Sequence, residues 1–370
     1  MAGNSFGKAL VLITFGESHG SATGGVLDGF PSGIFIDTAF IQRELDRRKP
    51  GCYSFSSQRQ EDDIVEILSG LFSGKTTGAP IAFLIRNRDA RPEDYLNLKD
   101  IFRPSHADFT YEQKYGLRDY RGGGRASARE TAARVAAGAF AKILLQQTGI
   151  SVTAYTSLIG NIGLPKNYVW NPDKDYVLPE TGCPDPATSE NMLQLLEQLR
   201  EEGDSTGGIV TCRITGVPAG LGEPVFDKLQ ADLAKGMMSI NAAKAFEYGS
   251  GFDGCSRKGS EENDPFIFRE GKILTETNHS GGIQGGISNG NEIYFQVGFK
   301  PAASIAKNQT TVNRKGEEVL LSVKGRHDVC VVPRAVPVVE AMAAFVIADH
   351  WLRFRQVPAD SGNATTQAPR

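Results

Sequence analysis

The sequence predicts an α+β fold with antiparallel sheets, and three observations favour it over a doubly wound parallel sheet. The chain has 370 residues, 40% of them hydrophobic and 22% charged, which is typical of a globular protein with a large core. Strand-like apolar runs arrive in groups joined by short glycine turns, as in β-hairpins. Long helical segments separate these groups instead of alternating with single strands.

The elements of the first half follow from apolar runs and from the residues that end them. Pro50 and Gly51 end a short amphipathic helix, and Gly149 ends a long alanine-rich helix whose small side chains predict a central position. In chain order, the predicted elements are strands over 8–15 and 26–36, a helix over 38–48, a hairpin of 64–72 and 81–85, and a helix over 127–148.

The second half repeats this alternation and so echoes the first half. The predicted elements are a strand over 152–159, a helix over 190–202, a strand over 208–217, a helix over 227–248, a strand over 292–299 and a helix over 336–355. The small and polar segment 358–370 predicts a disordered tail after one domain that spans 1–357.

Composition narrows the class of protein. The residues Met1 to Asn4 lack the order of a signal peptide, and no apolar run approaches the roughly 18 residues of a membrane helix. We therefore expect a cytoplasmic protein without a membrane partner. Five scattered cysteines without C-x-x-C spacing argue against a disulfide framework and a zinc site.

Two glycine-rich segments resemble nucleotide-binding motifs without meeting their requirements. The segment 70–76 has three residues between its glycines where a P-loop needs four, and a strand follows where a helix is required. The segment 249–254 fits G-x-G-x-x-G, but it follows a predicted helix instead of a strand. We expect neither a P-loop nor a dinucleotide-binding fold.

Arginine and glycine are unevenly distributed. Although the net charge is only -3, 13 of the 23 arginines lie between Arg43 and Arg134. The 42 glycines cluster near the start, at 122–124 and at 281–290, and such clusters let the backbone approach a ligand closely. The pattern indicates either solvated helix faces or a pocket for a small polyanion. Nucleic acid is a weaker fit, because the chain as a whole is not basic.

Two segments place a histidine where it can act on an anion. Gly16 and Gly20 flank His19 at the end of a strand, which leaves the imidazole accessible. Arg103 stands three residues before His106, and a neighbouring cation disfavours the charged form of a histidine. Either histidine alone can also be structural, but together they predict proton donors near an anion.

The most specific segment is the glycine run 122–124, which leads into the long helix. Free N–H groups and the helix dipole favour an anion there. Arg125 and Arg129 are four residues apart and are predicted to project from one face of the first turn. Two cations at a helix N-terminus oppose the dipole by about 0.3 to 1 kcal/mol each, so the pair indicates an anion-binding site.

Arg326 and Asp328 form a fourth cluster, in a predicted tight turn before an apolar run. Alone they fit a surface turn equally well. Together with the other segments, they complete a set of guanidinium groups for a polyanion, two histidines as proton donors and one carboxylate as a base. The sequence contains no evident nucleophile with an adjacent base and no evident metal cluster.

These segments resemble the chorismate synthase family, and the resemblance extends from Gly3 to about Arg355. The matching motifs are 16–20 continuing into 28–31, 103–108 continuing to 116, 125–134, 281–288 and 325–328. Several long motifs in the same order are not expected by chance.

The resemblance implies a lyase that catalyses the last shared step of aromatic biosynthesis. In this step 5-enolpyruvylshikimate 3-phosphate loses phosphate and a ring proton in a 1,4-anti elimination and gives chorismate. Reduced FMN is implied as a cofactor without net consumption, with NADPH as its ultimate reductant. The implied fold is a β-α-β sandwich with long central helices between two antiparallel sheets and pseudo-duplicated halves, assembled as a homotetramer.

The resemblance also implies roles for particular residues. His106 would protonate the departing phosphate, His19 would manage the protonation of the reduced flavin, and Asp328 would assist removal of the ring proton. The implied flavin contacts are Arg125, Ala126, Ser127, Asn241, Ala242, Gly285, Lys300, Pro301, Ala302, Ala303, Ser304 and Arg326. The implied substrate contacts are Arg48, Arg103, Arg129 and Arg326.

Two positions depart from the family pattern. Ser54 stands where many relatives have an arginine, which weakens any case for nicotinamide binding there, and Ala126 stands where serine is usual. The alternative functions are an NAD(P)H-dependent flavin reductase, which would also bind FMN near arginines, and a non-catalytic polyanion- or RNA-binding protein. An intrinsic flavin reductase activity and a separate flavin reductase are both compatible with the sequence.

Overall fold

A computed structural model describes residues 3–49, 55, 59–165, 168–171, 180–269, 271–322 and 328–354. The predicted tail over 358–370, Ser54 and the predicted site residue Arg326 lie outside these residues. The single domain over 1–357 stays a prediction.

Two five-stranded antiparallel sheets form the outer layers of the described structure. In spatial order, the first contains β1 (Ser5–Phe6), β2 (Val11–Gly16), β3 (Ala22–Asp28), β7 (Ile81–Arg86) and β4 (Val65–Ile67). The second contains β11 (Ala243–Tyr248), β16 (Ile293–Phe299), β10 (Gly208–Thr215), β8 (Ser151–Ile159) and β9 (Ile162–Gly163). Small hairpins pair β5 (Leu71–Phe72) with β6 (Lys75–Thr76), β12 (Phe266–Arg269) with β13 (Lys272–Thr275), β14 (Ile283–Gln284) with β15 (Ile287–Ser288), and β17 (Gln309–Val312) with β18 (Glu318–Leu321).

Helices fill the layer between the sheets. They are α1 (Thr38–Arg48), α3 (Thr131–Gln146), α5 (Leu229–Met238) and α8 (Val332–Phe354). The helix α3 packs on the first sheet and α8 on the second, and a Cβ added to Gly138 of α3 would lie 2.3 Å from the Cβ of Ala341 in α8. The two helix backbones are therefore in direct contact, and the predicted central position of the alanine-rich helix is confirmed. The remaining helices are α2 (Asp108–Tyr115), α4 (Pro186–Glu201), α6 (Gly251–Gly254) and α7 (Gly259–Glu262).

The two halves share an order of elements, as predicted. In each half, the third strand of the sheet is followed by a central helix, the fourth strand, the fifth strand and a second central helix. These elements are β3, α1, β4, β7 and α3 in the first half and β10, α5, β11, β16 and α8 in the second. In both sheets the fifth strand lies between the third and fourth strands, but the first two strands are exchanged.

The helix predicted over 227–248 is wrong in its second part. The helix α5 ends at Met238, and 243–248 form the strand β11, which pairs with β16. Ala242, with a φ of 66°, turns the chain between them. Alanine and lysine favour a helix locally, but pairing along an open sheet edge prevails here.

This correction changes the argument about the glycine segment 249–254, which follows a strand after all. That strand is an antiparallel sheet edge, and the following helix α6 has only four residues, Gly251–Gly254. A dinucleotide fingerprint belongs to a parallel βαβ unit, so its geometry is not formed by this segment.

Three predicted helices begin elsewhere. The helix α3 begins at Thr131 instead of 127, because Ser127 is extended (φ -74°, ψ 146°) between two short 3-10 turns. The helix α4 begins at Pro186 after the N-cap Asp185, four residues earlier than predicted. The helix α8 also begins four residues earlier than predicted, at Val332, so Arg334 belongs to its first turn.

The helix α8 also corrects the expectation that no segment is long and apolar enough for a membrane. The length and composition of α8 would allow it to cross a membrane, but 89% of its most apolar stretch is buried inside the protein. This burial is typical of a helix in the core of a protein.

A buried charge cluster joins the central layer to the second sheet. Glu340 of α8 accepts hydrogen bonds from Arg47 of α1 (2.7 Å), from Lys142 of α3 (2.6 Å) and from the backbone N–H of Ala154 (2.9 Å). Burial alone would raise the pKa of Glu340, but the charges of Lys142 and Arg47 outweigh it and hold this pKa at about 2.

We predict that Glu340→Gln destabilises the fold by about 3 to 5 kcal/mol, because it leaves the largely buried Lys142 and the partly exposed Arg47 without their main counter-charge. Glu197→Gln is the matched control, since Glu197 and Arg200 form an exposed ion pair with the same 2.7 Å separation as Glu340 and Arg47. Urea unfolding should show a much smaller change for the control.

The pH dependence gives a second readout of the same pair. Because the folded-state pKa of Glu340 is depressed, its contribution to stability is complete above about pH 4.5, the unfolded value, and is lost as the pH falls toward about 2. The thermal midpoint of Glu340→Gln should depend less on pH in this window. If Glu340→Gln and Glu197→Gln lost the same free energy of unfolding, the buried Glu340 would have no special importance for stability.

Candidate functional site

A cavity of about 360 Å³ lies where the ends of the four central helices meet. Arg48 ends α1, Ala242 follows α5, Thr131 begins α3 and Arg334 lies in the first turn of α8. The N-termini of α3 and α8 therefore add positive dipole ends to its wall. The volume is within the range of about 300 to 1,000 Å³ typical of small-molecule sites.

The structure brings ten of the predicted site residues together around this cavity. They are Arg48, His106, Ala126, Asn241, Ala242, Lys300, Pro301, Ala302, Ala303 and Asp328. Nine other lining residues were not predicted: Ser105, Ala107, Ala128, Thr131, Ile240, Val331, Arg334, Ala335 and Val338. The short run 124–126 separates this cavity from two neighbours, both lined by Arg125, and His106 also lines one of them.

Other predicted residues lie apart from the cavity lining. These are His19, Arg103, Arg125, Ser127, Arg129, Gly285 and Ser304. Gly285 lies in the turn between β14 and β15, beside the start of α5, whereas the cavity lies beyond the end of α5. Gly285 therefore lies away from this cavity, and its flavin contact stays a prediction.

The two histidines pack against the glycine run. Gly122 and Gly123 have φ values of 71° and 122°, and a Cβ on them would lie 2.4 Å from His19 Cδ2 and 3.1 Å from His106 Cε1. The absence of side chains at both positions thus lets the two imidazoles approach the same loop. His19 is buried, and its Nδ1 accepts a hydrogen bond from the backbone N–H of Arg91 at 3.1 Å.

His106 differs from His19 in that it reaches the cavity. Burial lowers the pKa of His106, and the charges of Arg103 and Lys300 lower it further, while the hydrogen bond with Asp108 opposes them. The neutral ring is therefore favoured in the ligand-free protein, and a bound anion would restore the imidazolium.

Two of the predicted substrate arginines share a carboxylate that the sequence analysis missed. Asp63 is buried and pairs with both Arg48 and Arg129. Burial would raise the pKa of Asp63, but the two guanidinium groups hold it below its usual value. The anion that compensates Arg129 at the helix N-terminus is thus a side chain 66 residues away, which no local pattern indicates.

Arg125 and Arg129 do not project from one face, contrary to the prediction. The extended Ser127 interrupts the helical spacing, so Arg125 donates to the Gly16 carbonyl (3.2 Å), while Arg129 donates to Asn87 (2.7 Å). Ser127 itself caps the following turn by accepting from the N–H of Arg129.

Asp328 forms an ion pair with Arg334, whose Nη1 lies 2.6 Å from Asp328 Oδ2. The same guanidinium donates from Nε to the backbone carbonyl of Arg48 at 3.3 Å. Arg334 was missed because the sequence pattern starts α8 after it. Its position just before an otherwise apolar segment was the available signal.

Two residues that line the cavity have buried polar atoms without hydrogen-bond partners among the described residues. Asn241 donates to the Ala126 carbonyl (2.9 Å), but its Oδ1 is buried without a hydrogen bond, and so is Arg48 Nε. Lys300 lies at the rim and donates to the Ser105 carbonyl at 3.3 Å, and burial followed by repulsion from Lys244 lowers its pKa. A ligand with both N–H donors and anionic oxygens would satisfy these groups.

Comparisons with known proteins agree on one family. The family model described as chorismate synthase matches residues 10–352. A chorismate synthase of Bacteroides thetaiotaomicron is 57% identical over 352 residues, which is 94% of this chain and 98% of the relative, and one of Cytophaga hutchinsonii is 55% identical over 362 residues, 96% and 99% of the two chains. A crystal structure of chorismate synthase, 33% identical, superposes with a TM-score of 0.75 over 94% of this chain and 93% of that one.

We predict that Gly122→Ala displaces His19, because the new Cβ would overlap its ring. Gly116→Ala is the matched control: Gly116 has a φ of 69° against 71° for Gly122, but the space around its Cβ position is open. Both variants carry about 1 to 2 kcal/mol of backbone strain. Urea unfolding should show a larger loss for Gly122→Ala, and only that variant should shift the His19 resonances in histidine-labelled protein. Identical behaviour of the two variants would show that the ring has room to move.

Proposed function

The chain belongs to the chorismate synthase family and is a lyase of the shikimate pathway, and we propose that it acts on 5-enolpyruvylshikimate 3-phosphate with reduced FMN bound in the cavity. The proposed reaction breaks the ring C–O bond to phosphate and one ring C–H bond in a 1,4-anti elimination. The products are chorismate, inorganic phosphate and a proton, so no oxidant or reductant is consumed.

The observation that carries this proposal is the distribution of charge around the cavity. Arg48, Lys300 and Arg334 line it together with a proton donor, His106, and a carboxylate, Asp328. A substrate with one phosphate and two carboxylates needs cations for its binding, and an elimination needs an acid for the leaving group and a base for the proton.

The cavity residues fit FMN. The buried Oδ1 of Asn241 needs a donor, which a flavin ring provides through its N–H groups, and the apolar run 301–303 offers a surface for an aromatic ring. We propose that Ala126, Asn241, Ala242 and the run 300–303 hold the cofactor, with Ser304, Ser127, Arg125, Arg326 and Gly285 as further candidates. Reduced FMN would supply electron density while the phosphate leaves.

The arginines divide into two groups in this proposal. Arg48 and Arg334 pair with Asp63 and Asp328 but also line the cavity, so they would contact the anionic groups of the substrate, as would Arg326. Arg103 and Arg129 are tied to Asp108 and Asp63 and would act on the site through those carboxylates. Bidentate guanidinium contacts suit phosphate and carboxylate oxygens.

Proton movements are assigned to three residues. His106 would donate a proton to the departing phosphate, and Asp328, fixed by Arg334, would assist removal of the ring proton. His19 lies behind Gly122 and would influence the protonation of the cofactor from there.

We also propose a cytoplasmic homotetramer. NADPH would be the ultimate source of electrons for the flavin, delivered either by the protein itself or by a separate flavin reductase.

Anaerobic phosphate release tests the proposed reaction. With dithionite-reduced FMN, phosphate should be released in large excess over flavin, because the elimination is redox-neutral. An NAD(P)H-dependent flavin reductase would instead consume NADPH stoichiometrically without releasing phosphate. Phosphate released only one-for-one with reduced flavin would overturn the catalytic role of the cofactor.

We predict that His106→Ala lowers turnover by about 10² to 10⁴, the usual range for loss of a general acid, and leaves FMN binding nearly unchanged. His279→Ala is the control, because His279 does not line the cavity. Turnover is measured as anaerobic phosphate release, and binding by flavin fluorescence titration. Wild-type turnover in His106→Ala would remove the proposed role.

A further inference from the structure

Asp108, a carboxylate that the sequence analysis did not single out, lies at the centre of a buried charge cluster. Its Oδ2 accepts from Arg103 Nε at 2.7 Å and from the backbone N–H of Arg103 at 3.1 Å. Its Oδ1 lies 2.8 Å from Arg103 Nη2 and 2.9 Å from Arg118 Nη1. The three side chains are at most 4% exposed, so water does not screen these charges.

The same oxygen lies next to the proposed proton donor. The Nδ1 of His106 is 3.0 Å from Asp108 Oδ1 and 3.1 Å from Arg103 Nη2. A guanidinium only donates and a carboxylate only accepts, so the tautomer of His106 decides which contact is a hydrogen bond. If Nδ1 carried no proton, two acceptors, Nδ1 and Asp108 Oδ1, would lie 3.0 Å apart. If Nδ1 is protonated, it is the third donor to Asp108 Oδ1, beside Arg103 Nη2 and Arg118 Nη1.

We propose that Asp108 is a positioning residue that holds a proton on Nδ1 of His106, so that Nε2 is the nitrogen that gains and loses the catalytic proton. This inference rests on the proposed role of His106 as proton donor. Nε2 lies on the Gly123 side of the ring, 3.3 Å from where a Cβ of Gly123 would be. When Nε2 gives up its proton, the neutral ring keeps its hydrogen bond to Asp108 and does not need to rotate.

Arg103 acquires a different role from the one that the family resemblance implies. Arg103 donates hydrogen bonds to Asp108 from two side-chain nitrogens and from its backbone N–H, and it does not line the cavity. Its charge disfavours the imidazolium, while the charge of Asp108 favours it. Arg103 therefore orients Asp108 and limits how strongly His106 holds its proton in the absence of an anion.

The other charged groups around His106 are on separate elements. Lys300, from the segment after β16, disfavours the imidazolium, and Arg118 acts through Asp108. Arg48, Arg334 and Asp328 line the same cavity as His106, and by the sign of their charges the two guanidinium groups would oppose the imidazolium and Asp328 would favour it. Only Asp108 among these has an oxygen within hydrogen-bond distance of Nδ1 in the described structure.

The first experiment uses wild-type protein labelled with ¹⁵N-histidine, without substrate or cofactor. Two-bond ¹H–¹⁵N correlation spectra across a pH titration report which nitrogen loses its proton, and His106→Gln assigns the signal. We expect the neutral ring to carry its proton on Nδ1. A neutral ring protonated on Nε2 would overturn the proposal.

The second experiment measures the pKa of His106 in Asp108→Asn, which should fall by about 1 unit or more, because the imidazolium loses its adjacent anion. Glu112→Gln is the matched control: it removes a carboxylate 3.8 Å from the same Arg118, but one without a hydrogen bond to His106. We expect a much smaller pKa change there. An unchanged pKa in Asp108→Asn would also overturn the proposal.

If that variant fails to fold, Asp108→Glu replaces it. Asp108→Glu should keep the wild-type tautomer of His106, whereas a switch to Nε2–H would count against the assignment.

Turnover provides an independent readout. Activity needs protonated His106, so kcat/KM for phosphate release should fall as the pH rises through the pKa of His106. In Asp108→Asn, this fall in the pH–rate profile should occur at lower pH, displaced by the same amount as the pKa measured by spectroscopy. An unmoved profile would overturn the link from Asp108 to catalysis. The two proposals fail separately: normal turnover in His106→Ala would remove the proton donor, whereas an unchanged tautomer and pKa would remove only the role of Asp108.

Discussion

The direct contact between α3 and α8 is the constraint on which the rest of the structure depends. Gly138 has no side chain at the crossing because Ala341 occupies the space that a Cβ would need. This contact sets the separation of the two sheets. It lies about two helical turns from Thr131, where α3 begins and the cavity wall starts. Because α1 and α5 end where α3 and α8 begin, a change in the crossing would move every helix end around the site, so a core contact outside the cavity determines the cavity's dimensions.

Buried carboxylates make the arginine-rich interior of this fold stable. Asp63, Asp108 and Glu340 each pair with at least two cations, and each is at most 3% exposed. An unpaired guanidinium in such surroundings would be strongly unfavourable, and removing one partner of a buried pair typically costs about 3 to 5 kcal/mol. The clustering of arginine along the sequence therefore reflects two roles. Arg48 lines the cavity and also pairs with Asp63, whereas Arg103, Arg118 and Arg129 belong only to the buried charge network around Asp108 and Asp63.

Local patterns predicted the features that depend on neighbouring residues. The helix α1 follows from its amphipathic spacing and its terminating residues, and β8 follows from a segment rich in β-branched residues. The strand β11 was missed because its pairing with β16 is decided about 50 residues later in the chain. Asp63 was missed for the same reason, since its partners lie on α1 and before α3. Asp108, in contrast, stands five residues from Arg103 in a segment that the sequence analysis had already singled out, and its pairing was available to local reasoning.

Among the described residues that line the cavity, Asp328 is the one carboxylate, whereas Arg48, Lys300 and Arg334 are cations. Two like charges 4 Å apart repel by about 4 kcal/mol at an effective dielectric constant of 20, so a carboxylate beside a bound polyanion weakens binding. Arg334 offsets part of this repulsion, and because it also donates to the backbone of Arg48, it fixes the carboxylate relative to α1. A site that only bound anions would gain affinity from a neutral residue at this position. The presence of a fixed carboxylate among the cations therefore indicates a cavity suited to chemistry on its ligand, in which a proton must leave carbon while phosphate leaves from the other end of the same allylic system.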